Sequence, residues 1–165
     1  MSDQIKRVAF YRVPLDGDVG GGAAIVNAVL NSGVKLLAFS ELPEGPGGSQ
    51  LDLLPESDEV FEMETKGMGL AMSKRAAGFL FTGEDPPDAV TEAVNKLVQA
   101  GIAVTSLQYV SAGEERYGAV ICVNPPDADR AAGLLHASET EPVQVEEASE
   151  ESFLPAAAPG WVPAG

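Results

Sequence analysis

An internal repeat constrains the fold of this chain more than any other feature of its sequence. Gly33 ends an apolar-patterned segment and is followed by VKLLAFS, and 68 residues later Gly101 ends a similar segment and is followed by IAVTSLQYV. Thirteen residues before these glycines, Gly20 and Asp88 open the two segments after acid-rich loops. Each half therefore predicts the same order of elements, which is a strand, a loop, a helix and a second strand.

The second half shows the clearer pattern. Its helix has an apolar face at helical spacing, formed by Val90, Ala93, Val94, Leu97 and Val98. We expect Asp85 to cap this helix, Pro86 to stand in its first turn and Gly101 to end it. The elements predicted after it are strands at about 103–110 and 117–124, a short helix from Pro125 and a strand at 142–146. This βαββαβ order is the ferredoxin-like arrangement, in which two helices cover one face of an antiparallel sheet.

The first half fits the same order less regularly. The predicted elements are a helix at about 21–32, strands at 34–41 and 50–54, a second helix from Pro55 and a short fourth strand near 69–72. The sequence therefore predicts an α+β fold of two ferredoxin-like units, with antiparallel sheets and helices on one face. Because no flexible linker separates the units, we expect them to share a continuous sheet or to pack face to face.

The predicted units occupy residues 1–74 and 75–147, and the remaining residues differ from both in composition. Residues 148–165 contain three prolines and many small residues without periodicity, which predicts a disordered or loosely docked tail.

Two segments resemble a known family. DPPDAVTEAVNKLVQAGIAVTSLQYV (85–110) resembles the ACT-domain signature, which has an Asp-x-Pro-Gly turn, an apolar helix, an Ala-Gly-Ile step and a second strand. DGDVGGGAAIVNAVLNSGVKLLAFS (16–40) looks like a second, more divergent copy. The resemblance covers roughly residues 5–147 and implies a small-molecule sensing module, most often for amino acids, with ligand bound between ACT units.

The resemblance places the ligand against the loop between the first strand and the first helix. A helix N-terminus there offers unpaired N–H groups to a carboxylate, and glycine permits close approach. The candidate ligand-binding residues of the first half are Asp18, Val19, Gly20, Gly21, Gly22 and Lys35.

The candidates of the second half are Asp85 and Asp88. Asp88 stands where the family has a glycine, and its charge would repel a ligand carboxylate. Ala103 stands where the family often has a ligand-contacting asparagine. The first-half loop is therefore the better candidate, and a purely structural pair of ACT units remains an open alternative.

The sequence thus predicts a non-enzymatic regulatory module that binds an amino-acid-like ligand, forms a homodimer and acts on a partner enzyme. The alternative is a ligand-independent scaffold or accessory subunit that uses its sheet edges or its C-terminal tail.

The charge balance excludes two classes of partner. The chain has 25 acidic and 10 basic side chains, a net charge of −15, whereas binding nucleic acid or anionic lipid needs clustered bases. Residues 137–165 hold six glutamates and no base. We attribute the acids to solubility, turns and helix starts rather than to an acidic active site.

The sequence offers no catalytic constellation and no cofactor motif. Cys122 is the single cysteine, so an internal disulfide or a multi-cysteine metal site is excluded, and His136 is the single histidine. Gly17–Gly22 lacks the Lys-Ser/Thr ending of a phosphate loop, and no metal site is predicted. No secretory signal or membrane span is visible, which predicts a cytoplasmic protein.

Overall fold

A computed structural model describes residues 3–84 and 86–139. In it, the two halves of the chain form one antiparallel sheet. The strands are β1 (Gln4–Asp16), β2 (Leu36–Pro43), β3 (Gly48–Pro55), β4 (Ser73–Glu84), β5 (Val104–Gly113) and β6 (Arg116–Val123). The helices are α1 (Ala23–Asn31), α2 (Asp58–Thr65), α3 (Asp88–Gln99) and α4 (Ala128–Leu135), the last preceded by a 3-10 turn at Pro125–Asp127. The sheet order is β2-β3-β1-β4-β6-β5.

The offset read from the sequence also relates the strand pairings of the two halves. In the first half Leu53 of β3 lies between Tyr11 of β1 and Phe39 of β2. In the second half Ile121 of β6 lies between Phe79 of β4 and Leu107 of β5, and each of these residues is 68 positions later. Each edge strand also has a register shift at the corresponding place, near its first residues.

The first strands of the two halves, β1 and β4, lie side by side at the centre of the sheet and pair antiparallel. The prediction of a fourth strand near 69–72 is wrong, because these residues form no strand and β4 pairs with β1 instead. Gly69 has a φ of +65°, which breaks extended structure at this point. The boundary predicted between residues 74 and 75 falls inside β4, and the strand predicted at 142–146 and the tail at 148–165 lie outside the described residues.

One face of the sheet is covered by the helices. Over the first half, α1 and α2 bury a cluster that includes Val29, Leu53 and Phe61. Over the second half, α3 and α4 bury a larger cluster that includes Phe79 and Leu97. The architecture is therefore α+β, with an antiparallel sheet and a helical layer over each half.

The helix ends follow the predicted chemistry in part. Gly33 and Gly101 follow α1 and α3 with φ of +96° and +73°, the left-handed conformation expected of a glycine stop. The predicted start of α3 is too early, because Pro86 precedes the helix and its carbonyl accepts a hydrogen bond from Asp88 N. Asp85, the predicted cap, lies outside the described residues.

The opposite face of the sheet, the open face, has no helix packed on it among the described residues. Its buried centre consists of Val8, Leu54 and Val120, with Phe10 and Cys122 partly buried beside them. Polar side chains from both halves surround this centre.

Candidate functional site

The loop between β1 and α1 is the first candidate site, and backbone hydrogen bonds shape it. Gly17 N donates to Gly47 O at 2.7 Å, which ties the loop to the β2–β3 connection. Gly20 has a φ of +115°, a conformation that side chains rarely adopt, and its carbonyl accepts from Ala23 N at 3.3 Å. The chain therefore turns at Gly20 and enters α1 at Ala23.

The backbone amide that precedes α1, at its N-cap residue Gly22, already binds a carboxylate from the same chain. Gly22 N lies 3.2 Å from Glu41 Oε1 and 3.3 Å from Glu41 Oε2. A Cβ on Gly22 would lie 3.0 Å from Glu41 Oε2, so a side chain there would require Glu41 to shift by a few tenths of an ångström. Because α1 has neither a side-chain cap nor an acid in its first turn, Glu41 of β2 supplies the negative charge that its N-terminus favours.

Ser49 completes the contacts of this carboxylate. Its hydroxyl donates to Glu41 Oε1 at 3.0 Å, and the residue is 1% exposed. The Gly22 amide and the Ser49 hydroxyl therefore form a carboxylate-binding position between α1 and the β2–β3 pair. Sequence reasoning missed both Glu41 and Ser49. Glu41 follows Phe39 by two positions, and side chains two positions apart in a strand share a face, so Glu41 lies on the helix-facing side of β2.

The structure brings the five predicted loop residues together beside this position. Val19 is 52% exposed, and Asp18 is exposed with its carbonyl accepting from Gly21 N at 3.4 Å. Gly21 has no positive φ, and a Cβ there would meet only Asp18 O at 3.7 Å. A side chain at Gly21 is therefore tolerated better than one at Gly20.

Lys35 is not part of this group. It follows the C-terminal end of α1, and a nine-residue helix spans about 14 Å. Its Nζ lies 3.7 Å from Glu56 Oε2, and both side chains are largely exposed.

The second-half candidates lie at the far end of the sheet. Asp88 begins α3, which follows β4, and β4 runs antiparallel to β1. The Asp18–Gly22 loop and Asp88 therefore do not form one site within a single chain. Tyr109 occupies the position equivalent to Glu41, so the second half has no matching carboxylate, and Asp85 lies outside the described residues.

A second polar cluster lies under α2. The Tyr11 hydroxyl donates to Glu62 Oε1, and Lys74 Nζ lies 3.3 Å from both Glu62 and Asp58. Burial and the hydrogen bond to Glu62 raise the pKa of Tyr11, and the same hydrogen bond lowers the pKa of Glu62. Burial opposes the charge of Lys74, yet Asp58 and Glu62 outweigh it and raise its pKa. Each group is thus held in its ordinary charge state, which favours a structural role.

The remaining reactive side chains are separated from one another. Burial raises the pKa of the Cys122 thiol, which disfavours the nucleophilic thiolate. His136 ends α4 with a φ of +50°. Within residues 3–84 and 86–139 no group of three or more His, Cys, Asp or Glu side chains is arranged to hold a metal ion. Over the same residues, no helix combines the length and apolar character needed to cross a membrane.

Comparison with known proteins identifies the fold. No family model matches the chain, and no curated protein matches it. Among solved structures, a protein from Bacteroides thetaiotaomicron aligns with a TM-score of 0.64 and 12% identity, covering 80% of this chain and 88% of that one. The ligand-free regulatory subunit of aspartate kinase from Thermus thermophilus aligns with a TM-score of 0.55 and 13% identity, covering 82% and 95%.

A third structure, of aspartokinase alpha and beta subunits, aligns with a TM-score of 0.50 and 15% identity, again covering 82% and 95%. At these identities the likeness is one of fold. The chain therefore has an ACT-like fold, which it shares with these structures.

Proposed function

We propose that this protein is a non-enzymatic regulatory module that binds a small amino-acid-like ligand at an interface between ACT-like units. The observation that carries the proposal is the Glu41 carboxylate on the Gly22 amide and the Ser49 hydroxyl. This position has the donors and the helix N-terminus that suit a ligand carboxylate. The ACT-like fold, found also in a regulatory subunit of aspartate kinase, supports a regulatory role.

In this proposal Glu41 occupies the position when no ligand is bound. A ligand carboxylate replaces it and releases the link between α1 and the edge strand β2. Two states result, one with Glu41 bound and one with ligand bound, and a ligand regulates only through such a difference. The output passes to a partner enzyme or through the oligomeric state.

The proposed site is completed by a second chain. Within one chain, the Asp18–Gly22 loop and the start of α3 lie at opposite ends of the sheet and do not meet. In the proposed homodimer, a loop of one chain and a loop of the other together form the site. Exposed apolar side chains on both edge strands, such as Phe39 (56% exposed) and Leu107 (50% exposed), support association.

A thermal-shift screen across the amino acids tests this proposal. A specific ligand raises the unfolding temperature as its concentration increases. Gly21→Asp places a charge beside the position and abolishes that shift, whereas Gly21→Ala keeps it. Gly20→Asp is a poorer test, because its φ of +115° strains any side chain.

Glu41→Gln sharpens the test, because it removes the charge that competes with the ligand. We expect this variant to bind the ligand more tightly than the unaltered protein, while the exposed Glu44→Gln leaves affinity unchanged. If neither the unaltered protein nor Glu41→Gln responds to any amino acid at millimolar concentration, the sensor proposal fails.

The second candidate function is a ligand-independent scaffold or accessory subunit. The apolar edges of β2 and β5 favour it, because each offers backbone groups for sheet extension. If this function holds, a partner protein co-purifies with the unaltered chain. That partner is lost in Phe39→Lys and Leu107→Lys, or on deletion of residues 148–165. Loss of binding without any amino-acid response favours this function over the sensor.

A further inference from the structure

The open face contains a cavity that spans both halves of the sheet. Its volume is about 390 Å³, within the range of small-molecule sites. The polar side chains that line it include Arg12, Gln50, Asp52, Arg75, Ser106 and Gln108. The first three come from β1 and β3, whereas Ser106 and Gln108 come from the opposite edge, β5.

The charge of this cavity is opposite to that of the protein. The chain has 25 acids and 10 bases, yet the described residues lining the cavity include two arginines and one carboxylate, Asp52. A positive cavity in a strongly acidic chain concentrates anions locally.

The Arg12–Asp52 pair forms a fixed part of the lining. Arg12 Nε donates to Asp52 Oδ1 at 2.9 Å and Nη2 donates to Oδ2 at 3.1 Å, a two-point contact across β1 and β3. Gln50 Nε2 also donates to Asp52 Oδ2 at 3.2 Å. Both Asp52 oxygens thus accept hydrogen bonds within the lining, while Arg12 keeps N–H groups for a further acceptor.

Arg75 carries the uncompensated charge. Its side chain is exposed, and no carboxylate of the described residues lies within 4.0 Å of it. The register of the β1–β4 pair shifts between Val8–Gly78 and Phe10–Arg75, which is a β-bulge. The β4 side chains before this bulge therefore point to the opposite face from the one that the later alternation would give them. Without this bulge Arg75 would share the helix side with Phe79, so the bulge turns a guanidinium onto the open face.

We propose that this cavity binds a small molecule bearing a single carboxylate, with Arg75 as its ion-pair partner. The remaining Arg12 donors and the side chains of Gln50, Ser106 and Gln108 orient the bound molecule. One uncompensated guanidinium matches one negative charge, and the planar fork of arginine suits a carboxylate. This site is separate from the α1 N-terminus and does not rest on the proposed function.

Titrations of the full chain followed by ¹H–¹⁵N NMR test this site with three probes, sodium propionate, neutral propionamide and sodium phosphate. We expect propionate to shift the amide signals of Gln50, Ser106 and Gln108 saturably. Propionamide binds about tenfold more weakly or not at all, because it lacks the charge. Arg75→Gln weakens propionate binding about tenfold, and the matched control Arg116→Gln, an exposed residue starting β6, changes it less than twofold.

Several results would overturn this inference. They are the absence of propionate shifts, shifts confined to Gly20–Gly22, equal affinity for propionamide, tighter binding of phosphate, or unchanged binding by Arg75→Gln. Shifts of the open-face amides that depend on protein concentration alone would assign the face to a second copy. Failure of Gly21→Asp to affect an amino-acid response concerns the proposed function and leaves this site intact.

Discussion

The two halves of this protein share a framework but differ in what fills it. Corresponding strands pair at the same 68-residue offset, yet among the described residues the buried cluster of the second half contains fourteen members and that of the first contains eight. Phe79 in the second half has Tyr11 as its counterpart, whose hydroxyl bonds to Glu62. The first half thus replaces part of its apolar core with charged and hydrogen-bonded groups.

The turns between the edge strand and its neighbour also differ between the two halves. The β2–β3 connection places glycine at its positive-φ positions, Gly45 and Gly47, whereas the β5–β6 connection has Glu114 and Glu115 there, after Gly113. The second half therefore stores strain in a turn while its core is large. The larger apolar core indicates that the second half contributes more to stability than the first, despite this turn.

The largest expected effect comes from the cores. Leu97→Ala in α3 removes a side chain that is 0% exposed and lowers the free energy of unfolding by about 2–5 kcal/mol. Val29→Ala, its counterpart 68 residues earlier and equally buried, costs about 2 kcal/mol, because fewer carbon atoms are removed from the core. Urea unfolding of both variants measures the difference, and equal costs would contradict the larger loss expected at Leu97.

A smaller effect is expected from the Tyr11 hydroxyl. Tyr11→Phe lowers the free energy of unfolding by about 1 kcal/mol at pH 7, since its partner Glu62 is partly exposed and solvent screens the bond.

The pH dependence identifies the cause. Glu62 has a lowered pKa in the folded protein, so its stabilisation is complete above the unfolded pKa of about 4.3 and is lost as the pH falls through the folded value. The difference between Tyr11→Phe and the unaltered protein should therefore shrink below about pH 4. Urea unfolding from pH 7 to pH 3 measures it, with Glu59→Gln as control, and a constant difference would exclude Glu62.

An effect no larger than that of Tyr11→Phe is expected at the turns. Replacing Glu114-Glu115 by Asn-Gly raises the free energy of unfolding by about 1 kcal/mol, because both positions need a positive φ. In the first half, Gly45→Glu and Gly47→Glu each lower it by about 1 kcal/mol, although neither new Cβ meets an atom within 4 Å. Thermal unfolding checks the signs, and an opposite sign in either half would show that φ does not control these turns.

Much of the fold was predictable because it depends on local periodicity. The apolar face of α3, the alternation along the strands and the two helix-ending glycines are all local signals, and the elements form there. The strand predicted near 69–72 failed because the place beside β1 was filled from elsewhere in the chain. Competition between strands for one neighbour is not visible in a local pattern.

Only the part of the candidate site that is local in sequence was predictable, because the rest comes from distant segments. The glycines of the Asp18–Gly22 loop are marked by composition, and they do gather at the start of α1. Glu41 is 19 residues from Gly22 along the chain and reaches its amide only because β2 lies at the edge of the sheet beside α1. Arg75 likewise faces the cavity through a bulge that depends on the pairing of β4 with β1.

The sequence by itself determined the repeat, the α+β class and the helix and strand segments, because side-chain periodicity and glycine conformation act over a few residues. Tertiary structure decided that β1 and β4 join the halves into one sheet. It also placed a carboxylate on the N-cap amide of α1 and brought two arginines to one cavity of a strongly acidic molecule. These arrangements depend on contacts between distant segments, which arise only when the strands have paired.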